Sequence, residues 1–339
     1  MFSHIAQLPS GFLNTQKVKL TITCRPPYTK TIYILPGTSM KILITGSNGL
    51  LGQKLVRLIL GHPEIELIAT SRGENRLPFA GSYVYQPMNI TQKDEVENTL
   101  KAYAPDVVIN TAAMTHVDQC ETEQEACWKL NVEAVDYLVQ ACEKQDIFLL
   151  HLSTDFIFDG QAGPYDEKAA PNPISFYGES KLAAEKLIRS SSARWAIART
   201  VLVYGLAHDM SRSNIVLWVK NSLEQGKELR IVNDQWRTPT LAEDLAQGCF
   251  LIARQQAGGI FNLSGEELMT PYDMAMLVCE FFNLPKEKIT EVDAKTFSQP
   301  AKRPARTGFD ISKAKKQLGY RPHTFREGIN ILNKQLISK

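Results

Sequence analysis

A tyrosine and a lysine lie four positions apart in the segment Tyr177-Gly-Glu-Ser-Lys181. If the segment is helical, this spacing places both side chains on one face of the helix. An unperturbed tyrosine has a pKa of about 10, and a nearby ammonium favours the phenolate and should lower that pKa. We therefore predict that Tyr177 and Lys181 form a proton-transfer pair.

A hydroxyl group that could assist this pair stands about twenty residues earlier, in Ser153-Thr154-Asp155. These residues follow an apolar run, 147–152, that is typical of a buried strand. A substrate carbonyl between Thr154 and Tyr177 would be polarised for hydride attack. Because Y-x-x-x-K is common by chance, the prediction depends on the elements that surround it.

The most informative of these elements is the stretch from Lys41 to Gly52, which predicts a buried strand, glycine-spaced turns and then a helix. A helix N-terminus offers unpaired N–H groups, and glycine lets a pyrophosphate approach the backbone closely. The spacing is G-x-x-G-x-x-G, and a purely structural turn is the alternative. We predict a dinucleotide site formed by Gly46, Ser47, Asn48, Gly49, Leu50 and Gly52.

The choice of dinucleotide is predicted by the end of the next strand, 66–70, where Ser71 and Arg72 stand. A carboxylate there would bind the adenosine ribose hydroxyls, whereas a guanidinium and a hydroxyl can bind a 2′-phosphate. NADP(H) is therefore preferred over NAD(H). The alternative is that Arg72 is a solvated loop arginine.

Strands and helices alternate through the first 200 residues, which implies a parallel sheet. Further strands are predicted at 83–85 and 106–110, and helices at 94–103 and 121–144. Beyond residue 200 the elements are short and mixed. We predict an α/β fold, a Rossmann-type doubly wound parallel sheet (40–200) with a smaller mixed α/β C-terminal substrate lobe (201–339) that is partly interleaved with it. Residues 1–39 are predicted to be an appended leader outside the core, with a functional arm as the alternative.

Composition narrows the function classes. The 339 residues carry a net charge of +2, which gives no broad electrostatic footprint for nucleic acid or an anionic membrane. The six cysteines include no C-x-x-C pair, as expected for a reduced, cytoplasmic setting. No apolar run approaches the roughly twenty residues needed to span a bilayer. The histidines form no spaced set with cysteine or carboxylate, so no metal site is predicted.

Taken together, these motifs resemble those of the extended short-chain dehydrogenase/reductase superfamily over residues 40 to about 335. Within it, the sequence is most similar to the dTDP-4-dehydrorhamnose reductase family. That second resemblance rests on Ser153-Thr-Asp-Phe-Ile-Phe158, Asn233-Asp-Gln235 with Pro239-Thr240, and Arg303-Pro304 followed by Phe309-Asp310. The family reduces the 4-keto group of a dTDP-linked 6-deoxyhexulose.

The resemblance implies roles for individual residues. Thr154, Tyr177 and Lys181 would be the catalytic set, with Tyr177 as the general acid and Lys181 bonded to the nicotinamide ribose. Further cofactor contacts are implied for Asn89, Ile90, Thr91, Ala112, Ala113 and Asn131. Substrate contacts are expected from Thr115, Thr154, Asp155, Leu202, Gln235, Arg237 and Arg303. Of these, Arg237 and Arg303 are candidates for the nucleotide diphosphate because a guanidinium can bind phosphate through two parallel bonds; surface salt bridges are the alternative.

Two departures from the family keep other functions open. Leu202 occupies a place where rhamnose reductases commonly carry tryptophan, and Trp236-Arg237-Thr238 replaces smaller residues. An arginine there also occurs in the regulatory β subunit of methionine adenosyltransferase, so a non-catalytic NADP-binding subunit is one alternative and a sugar-nucleotide epimerase is another. The resemblance also allows a homodimer. A magnesium ion is suggested by the resemblance only, because some rhamnose reductases are said to use magnesium at a subunit contact.

Overall fold

The computed structural model describes residues 18–20, 32–34, 39–78, 80–209 and 214–338. The chain divides into two compact units, Met1–Met40 and Lys41–Lys339. In the first unit, β1 (Val18–Leu20) pairs antiparallel with β2 (Ile32–Ile34). Most of the predicted leader, 1–39, lies outside the described residues, and its role stays a prediction.

The second unit, whose first strand begins at the boundary residue Met40, is built mainly of alternating strands and helices. In chain order its elements are β3 (Met40–Thr45), α1 (Leu50–Ile59), β4 (Ile65–Ser71), β5 (Val84–Pro87), α2 (Lys93–Tyr103), β6 (Val107–Asn110), α3 (Val117–Thr122), α4 (Gln124–Trp128), α5 (Ala134–Gln145), β7 (Phe148–Thr154), α6 (Phe176–Ser190), β8 (Trp195–Thr200), β9 (Val203–Tyr204), α7 (Ile215–Glu224), β10 (Leu229–Val232), β11 (Thr240–Leu241), α8 (Ala242–Gln255), β12 (Gly259–Asn262), α9 (Pro271–Phe282), β13 (Ile289–Val292), α10 (Ser312–Leu318) and α11 (Phe325–Ile337).

Seven of these strands form one sheet in the order β12-β8-β7-β6-β3-β4-β5. The strands that pair along it run parallel. The inner strands β6 and β7 are buried along their whole length, as expected when helices cover both faces. The predicted Rossmann-type α/β fold is confirmed, and β6 is its central strand, next to the glycine-turn strand β3.

The residues after 200 contribute both to this sheet and to a second core. The edge strand β12 comes from this region, so the two parts of the chain are interleaved in the sheet. The second core packs α7, α9 and α11 around two short parallel pairs, β9 with β11 and β10 with β13. Short elements of this kind are joined by loops, and the role of this region in substrate binding stays a prediction.

The long helix predicted over 121–144 is wrong in its continuity. Glu123 leaves helical geometry with φ −118° and ψ 56°, and it separates α3 from α4. A π-helical turn, Lys129–Glu133, then precedes α5. The turn contains Asn131, whose side chain hydrogen-bonds the backbone of Met114, a residue of the loop after β6. Tertiary hydrogen bonding has thus overridden the helical periodicity.

None of the helices in the described residues is both long and apolar enough to cross a membrane.

Candidate active site

Thr154 and Tyr177 are brought together by β7 and the first turn of α6. Thr154 is the last residue of β7, and the hydroxyl of Ser175 caps α6 by accepting a hydrogen bond from the N–H of Gly178. A Cβ at Gly178 would lie 2.2 Å from the carbonyl oxygen of Phe156. Because Gly178 lacks that atom, the helix can approach the chain just beyond Thr154.

Tyr177 is almost fully buried at this junction. Its ring meets that of Phe156 edge to face, with the centroids 5.7 Å apart. Burial raises the pKa of Tyr177 above its ordinary value, and a hydrogen bond with Thr154 only partly offsets this. The pKa of Tyr177 is therefore raised and not lowered as expected, because desolvation is the largest effect and the charge of Asp155 acts in the same direction.

Lys181 is anchored on β7 by its head group. Its Nζ donates to the carbonyl oxygen of Leu152 at 2.6 Å and lies 3.0 Å from Nε2 of His151. Burial lowers the pKa of Lys181 to about 8, and the Glu185 carboxylate acts in the opposite direction. Both of these polar contacts join the Lys181 head group to β7.

Asp155 is buried beside Thr154 and is held from the C-terminal half of the chain. Its Oδ1 accepts from the Thr154 hydroxyl at 3.1 Å, and its Oδ2 accepts from the Thr307 hydroxyl at 2.5 Å. The guanidinium Nε of Arg237 lies 3.7 Å from Oδ2. Burial raises the pKa of Asp155, while Arg237 and these hydroxyls lower it. The arrangement links the orientation of the Thr154 hydroxyl to residues beyond 200.

The glycine turn has the features of a pyrophosphate cradle. Gly46 has φ +67°, and a Cβ at Gly52 would lie 2.3 Å from the Gly46 carbonyl oxygen. Helix α1 begins after Gly49 with no side-chain cap and no acidic residue in its first turn. The buried hydroxyl of Ser47 has no hydrogen-bond partner within the described part of the chain. Unpaired N–H groups and an unpaired hydroxyl at a helix N-terminus fit a bound phosphate.

Asn48 holds the loop that follows β4 against this turn. Its side chain donates to the carbonyl oxygen of Glu74 and accepts from the N–H of Arg76. The predicted cofactor-selecting residues Ser71 and Arg72 precede these contacts. The Arg72 side chain is exposed, and no hydrogen bond or ion pair in the described residues engages it. Its guanidinium is therefore available to an anion near the turn.

The other predicted cofactor residues line the same edge of the sheet or support it. Asn89 caps its own turn by accepting from the N–H and hydroxyl of Thr91, while the Ile90 side chain packs in the core. Ala112 and Ala113 are partly exposed in the loop after β6. Asn131 is 1% exposed and hydrogen-bonds Met114 and Ser180. Asn131 therefore ties that loop to α6.

The predicted substrate residues have differing surroundings. Arg237 is buried, and its guanidinium donates to the carbonyl oxygens of Trp236 and Pro304. Arg303 forms two hydrogen bonds with the carboxylate of Asp118, whose pKa it lowers. Leu202 is 40% exposed with φ +36°, Gln235 is partly buried and Thr115 is exposed. Substrate binding by these residues stays a prediction.

Comparison with known proteins assigns the chain to a family. A family model described as the RmlD substrate binding domain matches residues 40–337. The chain belongs to this family. The dTDP-4-dehydrorhamnose reductase of Aggregatibacter actinomycetemcomitans is 30% identical over 301 residues, covering 85% of this chain and 97% of that protein. Methionine adenosyltransferase 2 subunit beta of Danio rerio is 30% identical over 279 residues, covering 80% and 83%.

Solved structures of dTDP-4-dehydrorhamnose reductases have a similar fold. The crystal structure of a dTDP-4-dehydrorhamnose reductase from Clostridium acetobutylicum is similar with a TM-score of 0.78 and 28% identity, over 88% of this chain and all of that one. The NADP complex of the Bacillus anthracis dTDP-4-dehydrorhamnose reductase shares the fold with a TM-score of 0.75 at 24% identity, over 88% and 100%. The predicted resemblance to this reductase family is confirmed, and the chain belongs to an oxidoreductase fold family.

Sequence reasoning missed several residues of the site. Gly178 is one of the unassigned positions in Tyr177-x-x-x-Lys181. Its role depends on the close contact between α6 and the backbone of Phe156, which the sequence does not show. His151 could have been found from strand alternation, which places it on the same face of β7 as Ser153. The side chains of the Glu185–Arg199 pair are 0% and 1% exposed, and no spacing in the sequence indicates this pair because its members lie on a helix and a separate strand.

Proposed function

We propose that this protein is an NADPH-dependent reductase of a 4-keto-6-deoxy sugar nucleotide, and specifically a dTDP-4-dehydrorhamnose reductase acting in dTDP-L-rhamnose biosynthesis. The observation that carries the proposal is the meeting of Thr154, Tyr177 and Lys181 at one edge of the parallel sheet. The glycine turn stands at the same, carboxyl-terminal edge, where open α/β sheets bind their ligands. Family membership supports the substrate class.

NADPH would supply a hydride to C4 of the keto-sugar when bound. The turn residues Gly46, Ser47 and Gly52 would hold its pyrophosphate through backbone N–H groups and the unpaired hydroxyl. Arg72 would pair with the 2′-phosphate, since a guanidinium binds phosphate through charge-assisted hydrogen bonds.

Tyr177 would donate its hydroxyl proton to the oxygen at C4 as negative charge develops there. Its raised pKa keeps that proton in place at neutral pH, as a general acid requires. Thr154 would position the same oxygen, and the Lys181 ammonium would stabilise the phenolate left on Tyr177. The buried setting strengthens each of these interactions because water does not screen them.

The test is to mix the pure protein with NADPH and dTDP-4-keto-6-deoxy-L-hexulose and follow the absorbance of the reduced nicotinamide. Tyr177→Phe should lose orders of magnitude in kcat while still binding NADPH, because only the proton donor is removed. Absence of turnover by the unmodified protein across neutral pH would refute the proposal. Loss of NADPH binding by Tyr177→Phe would instead indicate a structural role.

The preference for NADPH has its own test. Arg72→Ala should weaken NADPH binding at least about tenfold and leave NADH binding unchanged, because the lost contact is to the 2′-phosphate. Arg230→Ala is a suitable control, since Arg230 is exposed on β10 in the second core. Equal weakening for both cofactors would contradict a phosphate contact.

A second candidate, an NADP-binding regulatory subunit, is favoured by the similarity to methionine adenosyltransferase 2 subunit beta. The discriminating observation is co-purification with a methionine adenosyltransferase that Tyr177→Phe does not affect. Sustained NADPH oxidation with the keto-sugar would favour the reductase, because a subunit that only binds has no chemical need for Thr154, Tyr177 and Lys181 together.

A further inference from the structure

A chain of hydrogen bonds runs from Lys181 across three neighbouring strands. Lys181 Nζ lies 3.0 Å from Nε2 of His151, whose Nδ1 lies 3.0 Å from the side-chain amide of Asn110. The other end of that amide lies 2.6 Å from the hydroxyl of Thr45. All four residues are at most 2% exposed. Such a chain must satisfy every donor and acceptor internally.

The two possible proton positions on His151 make different demands on its neighbours. An ammonium has three donors and no acceptor, so it requires an unprotonated Nε2 and hence a proton on Nδ1. That Nδ1–H in turn requires the amide oxygen of Asn110. A neutral lysine amine offers a lone pair, which can accept from Nε2–H, and Nδ1 then accepts from the amide nitrogen of Asn110.

His151 does not exchange between these two arrangements through its charged imidazolium form. Burial, assisted by the charge of Lys181, holds the pKa of His151 well below its ordinary value. The ring therefore stays neutral and can respond only by changing tautomer. The Asn110 amide can respond by a 180° flip, which exchanges its donor and acceptor ends.

We propose that His151 and Asn110 form a tautomer switch in which ring proton and amide orientation change together with the protonation state of Lys181. With Lys181 as the ammonium, His151 carries its proton on Nδ1 and Asn110 presents its oxygen. With Lys181 as the amine, the proton is on Nε2 and Asn110 presents its nitrogen, which is the end of the amide that faces His151 in the structure. His151 and Asn110 are thus positioning residues that keep the buried lysine hydrogen-bonded in both of its states.

The other groups facing Lys181 do not duplicate this role. Glu185 faces it from one turn further along α6 and is itself paired with Arg199. Cys120 and Cys127 face it from α3 and α4. These groups shift the pKa of Lys181 through charge, whereas His151 contacts the head group directly at hydrogen-bonding distance.

The direct test is NMR of the free protein with 15N-labelled histidine. The resonances that are absent from His151→Gln identify His151 among the six histidines. As the pH rises through the pKa of Lys181, about 8, the protonated nitrogen should change from Nδ1 to Nε2. A single tautomer maintained while Lys181 titrates would overturn the proposal, and this readout needs no cofactor or turnover.

Variants of Asn110 and His151 provide a second test of the switch. Asn110→Asp presents only acceptors, so it should hold the proton on Nδ1 and move the titration of Lys181 to higher pH. His151→Phe offers no acceptor and should move the titration of Lys181, which 15N-labelled lysine reports in the variants without His151, down by about one pH unit or more. His151→Gln, whose amide can itself flip, should keep the titration within about half a unit. Continued tautomer exchange in Asn110→Asp, or equal titrations in the Phe and Gln variants, would refute the switch.

The kinetic consequence rests on the proposed reductase function. If the keto-sugar is reduced, the alkaline limb of kcat should follow the titration of Lys181 in each variant. A switch seen by NMR without turnover would refute the reductase function and leave the switch standing. Turnover with an unvarying tautomer would refute the switch and leave the reductase function standing.

Discussion

A methyl group at Gly52 would enter space that the backbone of the glycine turn already fills. The added Cβ would lie 2.3 Å from the carbonyl oxygen of Gly46 and 2.6 Å from the Cα of Ser47. Both are backbone atoms, so no side-chain rotation can relieve the contact. Overpacking costs about 1–3 kcal/mol, and we expect Gly52→Ala to lose about 3 kcal/mol in its free energy of unfolding.

Two other glycines provide matched controls for urea unfolding. At Gly49 the nearest atom to an added Cβ is the same Gly46 oxygen, but at 3.3 Å. At Gly258, away from the turn, the nearest atom is the Trp195 carbonyl oxygen at 3.5 Å, an ordinary contact. We expect Gly258→Ala to stay within about 0.5 kcal/mol of the unmodified protein and Gly49→Ala to fall between the two.

The same substitution should weaken cofactor binding. Displacing the Gly46 carbonyl moves the turn relative to the N–H groups of α1, so Gly52→Ala should bind NADPH at least about tenfold more weakly in a fluorescence titration, a loss of about 1.4 kcal/mol. The reasoning would be refuted if Gly52→Ala unfolded like Gly258→Ala and bound NADPH with unchanged affinity.

Two further predictions concern buried charge. Glu185→Gln leaves the buried Arg199 without its carboxylate and should lower the free energy of unfolding by about 3–5 kcal/mol. Glu224→Gln, which breaks an exposed pair with Lys220, should cost less than about 1 kcal/mol, and equal effects would contradict the argument. The pKa of His151 is lowered in the folded protein, so below about pH 6.5 the unfolded chain binds a proton that the folded protein does not. As the pH falls below about 6.5, His151 should therefore lower the free energy of unfolding by up to about 1.4 kcal/mol per pH unit. His151→Gln should remove that part of the slope in urea unfolding at successive pH values, and an unchanged slope would show that His151 protonates normally.

The fold was largely predictable because its signals are local. The inner strands β3, β6 and β7 are largely apolar runs, and the glycine turn marks both the end of β3 and the start of α1. The continuous helix over 121–144 was wrong because the chain leaves helical geometry at Glu123 and because a π turn places Asn131 against the loop after β6. Periodicity within a segment carries no information about such a partner.

The candidate site was predictable in its residue types but less so in its electrostatics. The spacing of Tyr177 and Lys181 places them on one helix, yet the direction of the Tyr177 pKa depends on burial that no spacing reveals. The close approach at Gly178 and the chain from Lys181 to Thr45 join residues far apart in sequence. Arg237 and Arg303 have the chemistry to bind phosphate, but the sequence does not indicate their partners in the structure, Pro304 and Asp118, because these lie far away in sequence or depend on loop geometry.

The central claim is that the site transfers a hydride to C4 of a keto-sugar. The most direct measurement is mass spectrometry of the sugar product after incubation of dTDP-4-keto-6-deoxy-L-hexulose with NADPH carrying deuterium at both C4 positions of its nicotinamide. We predict a dTDP-linked 6-deoxyhexose that has gained one deuterium at C4 for each NADPH oxidised. Unlabelled product formed without net NADPH oxidation, as an epimerase would give, or no product at all, would contradict the account.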